Sequence, residues 1–259
     1  MPRSALFLLL PVISGVMSPA RGQTGPDSSM SSVRSSVDNL VRMHEAWGPQ
    51  ASTPNTSLAI KEFTRSGQVI KLRLIATGIP KDAVYSLLTW PATQKVPSEA
   101  LKGVTVDASG LAVCAGRVGT CGTIDNPDDP IDLVVQPAPG EPVRFGLVSS
   151  DGTTKVFAKS VPIPVLGENR GCSVEAITLT PGSEVVLIVG SGFSPNSDVV
   201  VDSATQGERH GGKGKTDAEG RYVSSILPYK QGVPRGTTKV DLKAAQCAPS
   251  VEFQWGRRN

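Results

Sequence analysis

Two short runs carry the residue types from which chemistry is built. The first is Asp125-Asn126-Pro127-Asp128-Asp129-Pro130-Ile131-Asp132. Hard oxygen ligands at close spacing on a turn are what Ca²⁺ requires, which makes Asp125, Asp128, Asp129 and Asp132 the candidate metal ligands. The run lacks the Gly-centred D-x-[DN]-x-[DN]-G spacing of a helix-loop calcium site. Asn and Asp ahead of prolines also form Asx-turns in water, so the expectation is a solvated loop with no dedicated metal and no cofactor. The second run is Ser203 to Thr216, SATQGERHGGKGKT. Its glycines let the backbone turn, and Glu208, Arg209, His210, Lys213 and Lys215 could meet an anion or a cluster of glycan hydroxyls. The plainer alternative is a long hairpin with Lys213 and Lys215 facing water on an edge strand, where lysine blocks aggregation.

Catalytic patterns are missing. There is no G-x-S-x-G elbow, no H-E-x-x-H and no P-loop. A Ser-His-Asp site would have to recruit His44 or His210, the only histidines. Asp128 and Asp129 are adjacent, so on a strand their carboxylates face opposite ways. The cysteines are Cys114, Cys121, Cys172 and Cys247. An even number in an exported chain reads as disulfides. Their spacing favours Cys114–Cys121 and Cys172–Cys247, whereas zinc would want a C-x-x-C pair and more histidine.

The elements that must position these residues follow from patterning. Residues 1–22 read as a signal peptide: Arg3, an apolar stretch from Ala5 to Val16, then Ala20-Arg21-Gly22 as a small-x-small cleavage site. Residues 23–57 form a polar segment holding one short helix and a linker. Val33, Val37, Leu40, Val41 and His44 recur at helical spacing, with Ser31 or Ser32 available as cap and Gly48-Pro49 as the stop. Its apolar stripe either docks on the first module or binds a partner. Two β modules are expected at 58–166 and 171–256, with Gly167 to Gly171 as a hinge. Landmarks recur in order in both. Gly78-Ile79-Pro80 follows the alternation Ile70, Leu72, Leu74, and Gly192-Phe193-Ser194-Pro195 follows Val185, Leu187, Val189. The turns Asp107-Ala108-Ser109-Gly110 and Asp217-Ala218-Glu219-Gly220 come next. Seven or eight short strands per module predict an all-β chain of two tandem immunoglobulin-like β-sandwiches preceded by a short N-terminal helix.

Val189-Gly190-Ser191-Gly192-Phe193-Ser194-Pro195, with Val199, Val201 and Thr216-Asp217-Ala218-Glu219-Gly220-Arg221-Tyr222, resembles bacterial immunoglobulin-like extracellular modules of the IPT/TIG kind. In these, a G-x-G-F-x-P turn joins two strands and a D-x-x-G turn opens a later hairpin. The first module departs from the pattern, with Ile79 in place of the aromatic. The resemblance implies a fold and an extracellular setting, and such modules act as spacers, adhesive units and accessory domains.

The whole chain carries 26 basic and 23 acidic residues. Removing residues 1–22 takes away Arg3 and Arg21, leaving 24 against 23. A balance so close to zero provides no footprint for nucleic acid. Aromatics at 5% leave few stacking platforms. No later apolar run is long enough to span a membrane. Trp47, Trp90 and Trp255 each end an element and read as packing or as sugar platforms. The expectation is a secreted or periplasmic, non-catalytic protein that engages a protein or glycan through sandwich loops or a sheet edge. The alternative is a secreted hydrolase built near His210 or the Asp125–Asp132 loop. The oligomeric state does not follow from the sequence.

Overall fold

The structure, a computed structural model, describes residues 27–114, 121, 129–230 and 232–256, with backbone only for 27–32. The signal peptide, the turn from Ala115 to Thr120, Asp125, Asp128 and the Arg257-Arg258-Asn259 tail lie outside the described residues. Among the described residues the fold is all-β, with four antiparallel sheets in two tandem sandwiches behind one α-helix.

The helix α1 spans Asp27–Ala46. It begins ahead of the Ser31 or Ser32 cap expected from sequence, because nothing between Pro26 and Gly48 breaks a helix. In the first module, β1 (Ser57–Ser66), β2 (Val69–Thr77) and β6 (Leu133–Val135) form one sheet in the order β1-β2-β6. The facing sheet is β5-β4-β3-β7-β8, from β3 (Tyr85–Thr89), β4 (Ser98–Val106), β5 (Ala112–Cys114), β7 (Val143–Ser149) and β8 (Lys155–Ser160). Alternating inward residues such as Ile70, Leu72, Leu74, Leu87, Val104 and Leu147 fill the space between them. That is the period-2 pattern of a strand with one face in a core.

The second module pairs two four-stranded sheets. One has the order β14-β11-β10-β9, from β9 (Leu166–Asn169), β10 (Cys172–Thr178), β11 (Val186–Ser191) and β14 (Tyr222–Ile226). The other is β13-β12-β15-β16, from β12 (Asp198–Thr205), β13 (Glu208–Lys215), β15 (Arg235–Lys243) and β16 (Ser250–Gly256). Val174, Ile188, Val199, Val240 and Leu242 are fully buried between them. The segment expected to be a hinge, Gly167 to Gly171, is instead largely β9, paired antiparallel to β10. It is an edge strand with little to bury, so its sequence lacks the apolar alternation that marks strands.

The tandem landmarks occupy matching places. Gly78 and Gly192 have φ of 72° and 78°. A side chain on Gly78 would run into the Asn55 carbonyl before β1, and one on Gly192 into the Gly171 carbonyl before β10. Each turn therefore needs both a left-handed residue and the absence of a Cβ. Asp107 Oδ1 accepts from the backbone N–H groups of Ser109 and Leu111 at 2.8 and 2.9 Å. Asp217 Oδ1 does the same for Glu219 and Arg221 at 3.1 and 2.7 Å. The orders β4-β3-β7-β8 and β13-β12-β15-β16 also correspond. After the Asp turn the modules diverge: β5 stays beside β4, whereas β14 crosses to β11. The longer chain after β5 supplies β6, which takes the place beside β2.

Both disulfides join the pairs expected from spacing, Cys114–Cys121 and Cys172–Cys247. Such bridges belong to an oxidising, non-cytoplasmic compartment. Their loops close 7 and 75 residues of sequence separation. The chain-entropy model then gives about 2.5 and 4.5 kcal/mol of constraint on the unfolded chain, as upper guides. Cys172→Ser is expected to lower the midpoint of chemical denaturation more than Cys114→Ser. The reverse order would show that the short bridge carries the larger share.

Candidate functional site

Two features outside the sandwich cores organise the molecule: a clamp made by α1 and a cleft between the modules. The clamp exists because both modules present buried groups on a sheet's outer face. In the second module, Val185, Leu187 and Val189 of the β11 run, with Ile177 and Leu179 beside them, point away from the sandwich core and are buried. Val37, Leu40 and Val41 of α1 cover them, with Val161 and Val223 at the margin. The stripe expected to dock on the first module therefore docks on the second.

The end of the helix reaches the first module. Trp47 is buried on the outer face of β7 and β8, and its Nε1–H donates to the carbonyls of Phe145 and Ala158 at 3.2 and 3.1 Å. Gly146 makes room for the Phe157 ring beside it, since a Cβ there would lie 2.5 Å from that ring. Trp90 and Phe157 flank the indole at 5.7 and 4.7 Å between ring centroids.

Arg144, also on the outer face of β7, is 1% exposed. Its Nε and Nη2 lie 3.0 and 2.9 Å from Nδ1 of His44, and its Nη1 donates to the Trp90 carbonyl at 3.1 Å. The guanidinium also sits 4.4 Å from the Trp90 ring centroid, a cation–π distance. A guanidinium only donates, so Nδ1 of His44 is an unprotonated acceptor. Burial, followed by the charges of Arg144, Lys159 and Arg221, pushes His44 down to about 2. Burial brings Arg144 down to about 10, still charged at neutral pH. Glu45 finishes the clamp by reaching Arg221 of the second module at 3.0 Å and Lys159 of the first at 4.0 Å. The Lys159 ammonium also donates to the His44 carbonyl at 2.7 Å. These half-exposed ion pairs add little energy and mainly set register.

A cleft of about 1340 Å³ opens between the modules. Ala92, Thr93, Ala138 and Glu141 line it from the first module. The second contributes the 3₁₀ turn Pro181–Ser183, Leu227 to Tyr229 on the β14–β15 connection, and Trp255 at the end of β16. The Thr178 N–H donates to the Gly140 carbonyl at 2.8 Å, joining the two walls directly. Tyr229 and Leu227 are 65% and 51% exposed, while Trp255 is 6% exposed. The Trp255 Nε1–H is buried without an acceptor. Glu141 accepts from the Ala138 N–H at 3.0 Å, which holds its carboxylate on the cleft wall.

The run Ser203 to Thr216 forms the hairpin of β12 and β13, with β13 at the sheet edge. Glu208 and His210 reach the cleft, whereas Arg209, Lys213 and Lys215 do not line it. Lys215 faces Asp198 at 3.8 Å, and Glu208 faces Lys230 at 3.8 Å. No hydroxyl or carboxylate among the described residues bonds the His210 imidazole. Of the acidic run, Asp132 pairs with Arg73 at 2.9 Å. Asp125 and Asp128 lie outside the described residues, so Asp129 and Asp132 alone can be placed. Among the described residues, no three His, Cys, Asp or Glu side chains gather as a metal would need. No described helix is long and apolar enough to cross a membrane. Sequence reasoning singled out neither Arg144 nor the cleft. An arginine between Val143 and Phe145 was the available signal for the first.

No family model matches the chain, and no curated protein does. Among solved structures, it is similar to a tetra-tandem repeat in the extending region of a large adhesion protein, at 13% identity and TM-score 0.24. That alignment covers 79% of this chain and 48% of the other, so the chain spans about half the length of that structure. It is also similar to a structure describing neurohormone perception by the receptor tyrosine kinase Torso, at 9% identity and TM-score 0.22, covering 94% of both chains. Likenesses at these scores carry no argument about function.

The buried His44 has a pH consequence. Its folded pKa lies below its unfolded value, so its contribution to stability is fully present above about pH 6.5 and is lost as pH falls toward about 2. The slope approaches one proton, up to about 1.4 kcal/mol per pH unit. Replacing His44 with Asn keeps an acceptor for Arg144 but removes the titration. Denaturation midpoints measured from pH 7 to 4 should fall less steeply for His44→Asn than for the native protein. Parallel slopes would contradict the buried neutral imidazole.

Proposed function

We propose that this is an exported, non-catalytic binding protein whose partner enters the cleft between the modules. The observation that carries the reading is the cleft itself: loops of both modules and the edge strand β13 converge on it, with exposed Leu227 and Tyr229 at its rim. Exposed apolar side chains beside a large concavity are the usual mark of a contact site. The histidines support binding over hydrolysis. His44 is committed to Arg144, and among the described residues none bonds the His210 imidazole to orient it as a base. The disulfides suit an extracellular or periplasmic setting. A protein or glycan partner fits this reading, and nothing about the charge balance points to nucleic acid.

A photo-reactive p-benzoylphenylalanine at position 227 tests the assignment in intact producing cells. It is expected to cross-link to envelope or extracellular material, while the same group at Val134, exposed on β6 away from the cleft, does not. Equal cross-linking from both positions, or none from 227, would overturn the assignment of the cleft.

A further inference from the structure

Resting on that reading, we infer that the cleft takes a non-anionic oligosaccharide. Four observations about its lining converge on that class. Among the described residues the carboxylates and imidazole there are Glu141, Glu184, Glu208 and His210, and no lysine or arginine lines the cleft. Lys230, outside the lining, donates to the Gln206 carbonyl at 2.7 Å and lies 3.8 Å from Glu208. A field of carboxylates repels a sulfated or uronic-acid chain and favours a ligand that donates hydrogen bonds.

The opposite requirement comes from Trp255. Its Nε1–H is buried with no acceptor, in a residue that lines the cleft. An indole nitrogen only donates, and leaving it unpaired is costly. Because that nitrogen has almost no exposed surface, a ligand reaches it only as the Trp255 ring shifts, and such a ligand presents an acceptor there as well as donors for the carboxylates. Sugar hydroxyls do both at once.

The third observation is Tyr229, whose ring is 65% exposed at the rim beside Leu227 and Pro228. The C–H face of a pyranose stacks on such a ring while its hydroxyls point aside to polar groups. The fourth is size. At about 1340 Å³ the cleft exceeds the roughly 300–1,000 Å³ of sites for drug-sized ligands, which suits several linked rings rather than one. An extended basic peptide would satisfy the acids. It would not use the orphan donor and the aromatic rim as economically, and it becomes an outcome of the test.

Isothermal titration of the full chain with cellotetraose and chitotetraose, beside a hyaluronan tetrasaccharide and an arginine- and proline-rich peptide, decides the matter. The expected result is binding of at least one of the two non-anionic tetrasaccharides and not of hyaluronan. Affinity should fall at least about fivefold in Tyr229→Ala and in Trp255→Phe, each removing one contact. Tyr229 is a rim residue whose loss leaves the fold intact, so it keeps the test valid should Trp255→Phe unfold. The inference is overturned if neither glycan binds at millimolar concentration, if hyaluronan or the peptide binds instead, or if a glycan binds the variants as well as the native chain. Cross-linking from position 227 without glycan binding would sink this inference alone, whereas failure of both would sink the cleft reading beneath it.

Discussion

The arrangement of this protein depends on one constraint: its second sandwich has an apolar face with no sheet to cover it. An antiparallel sheet usually buries one side and leaves the other wet. Here Leu187 and Ile188, on opposite sides of β11, are both fully buried. Each aliphatic side chain left in water would forgo about 1.5–3 kcal/mol. The helix α1 resolves this by laying Val37, Leu40 and Val41 over the outer face. A helix long enough to reach that face then ends at the first module, and Trp47 anchors it there. The cleft between the modules is walled by both of the sandwiches that the helix contacts.

The polar part of the clamp specifies more than it stabilises. Arg144 is buried without a carboxylate, an expensive placement unless each donor is matched. Each guanidinium nitrogen finds a partner: Nε and Nη2 share the one lone pair of His44 Nδ1, Nη1 donates to the Trp90 carbonyl, and the Trp90 ring lies against the charge. Only a helix in this register offers Nδ1 at that point, so the network selects the register that the apolar contacts alone would leave looser. Glu45 repeats the logic at the surface by facing a cation from each module.

Much of the fold was legible because strands with one buried face declare themselves by alternation. Ile70, Leu72 and Leu74 are an example, and the Asp107 and Asp217 turns mark matching positions through the same backbone contacts. The cysteine spacing was equally direct, since the Cys114–Cys121 turn is short and both Cys172, which opens the second module, and Cys247, between its last two strands, lie within that module. The run Val185 to Val189 was harder. Its odd positions read as a one-sided strand, yet the intervening Val186 and Ile188 are also buried. A continuous apolar run is the signature of a strand covered on both sides, and it implies a covering element without naming it. Edge strand β9 left no pattern because it has little to bury. The cleft was illegible for a different reason: its lining comes from six separate stretches between Ala92 and Gly256, which only the tertiary fold brings together.

The central claim is that α1 holds the two modules as one body. Double electron–electron resonance between spin labels at Val134→Cys on β6 and Val200→Cys on β12 reports the separation directly. The native background should give a single narrow distance distribution. Adding Leu40→Asp, which places a charge against Leu187 and its neighbours, should broaden it while both disulfides and both sandwich cores persist. A distribution that stays narrow and unshifted in the Leu40→Asp protein would contradict the clamp.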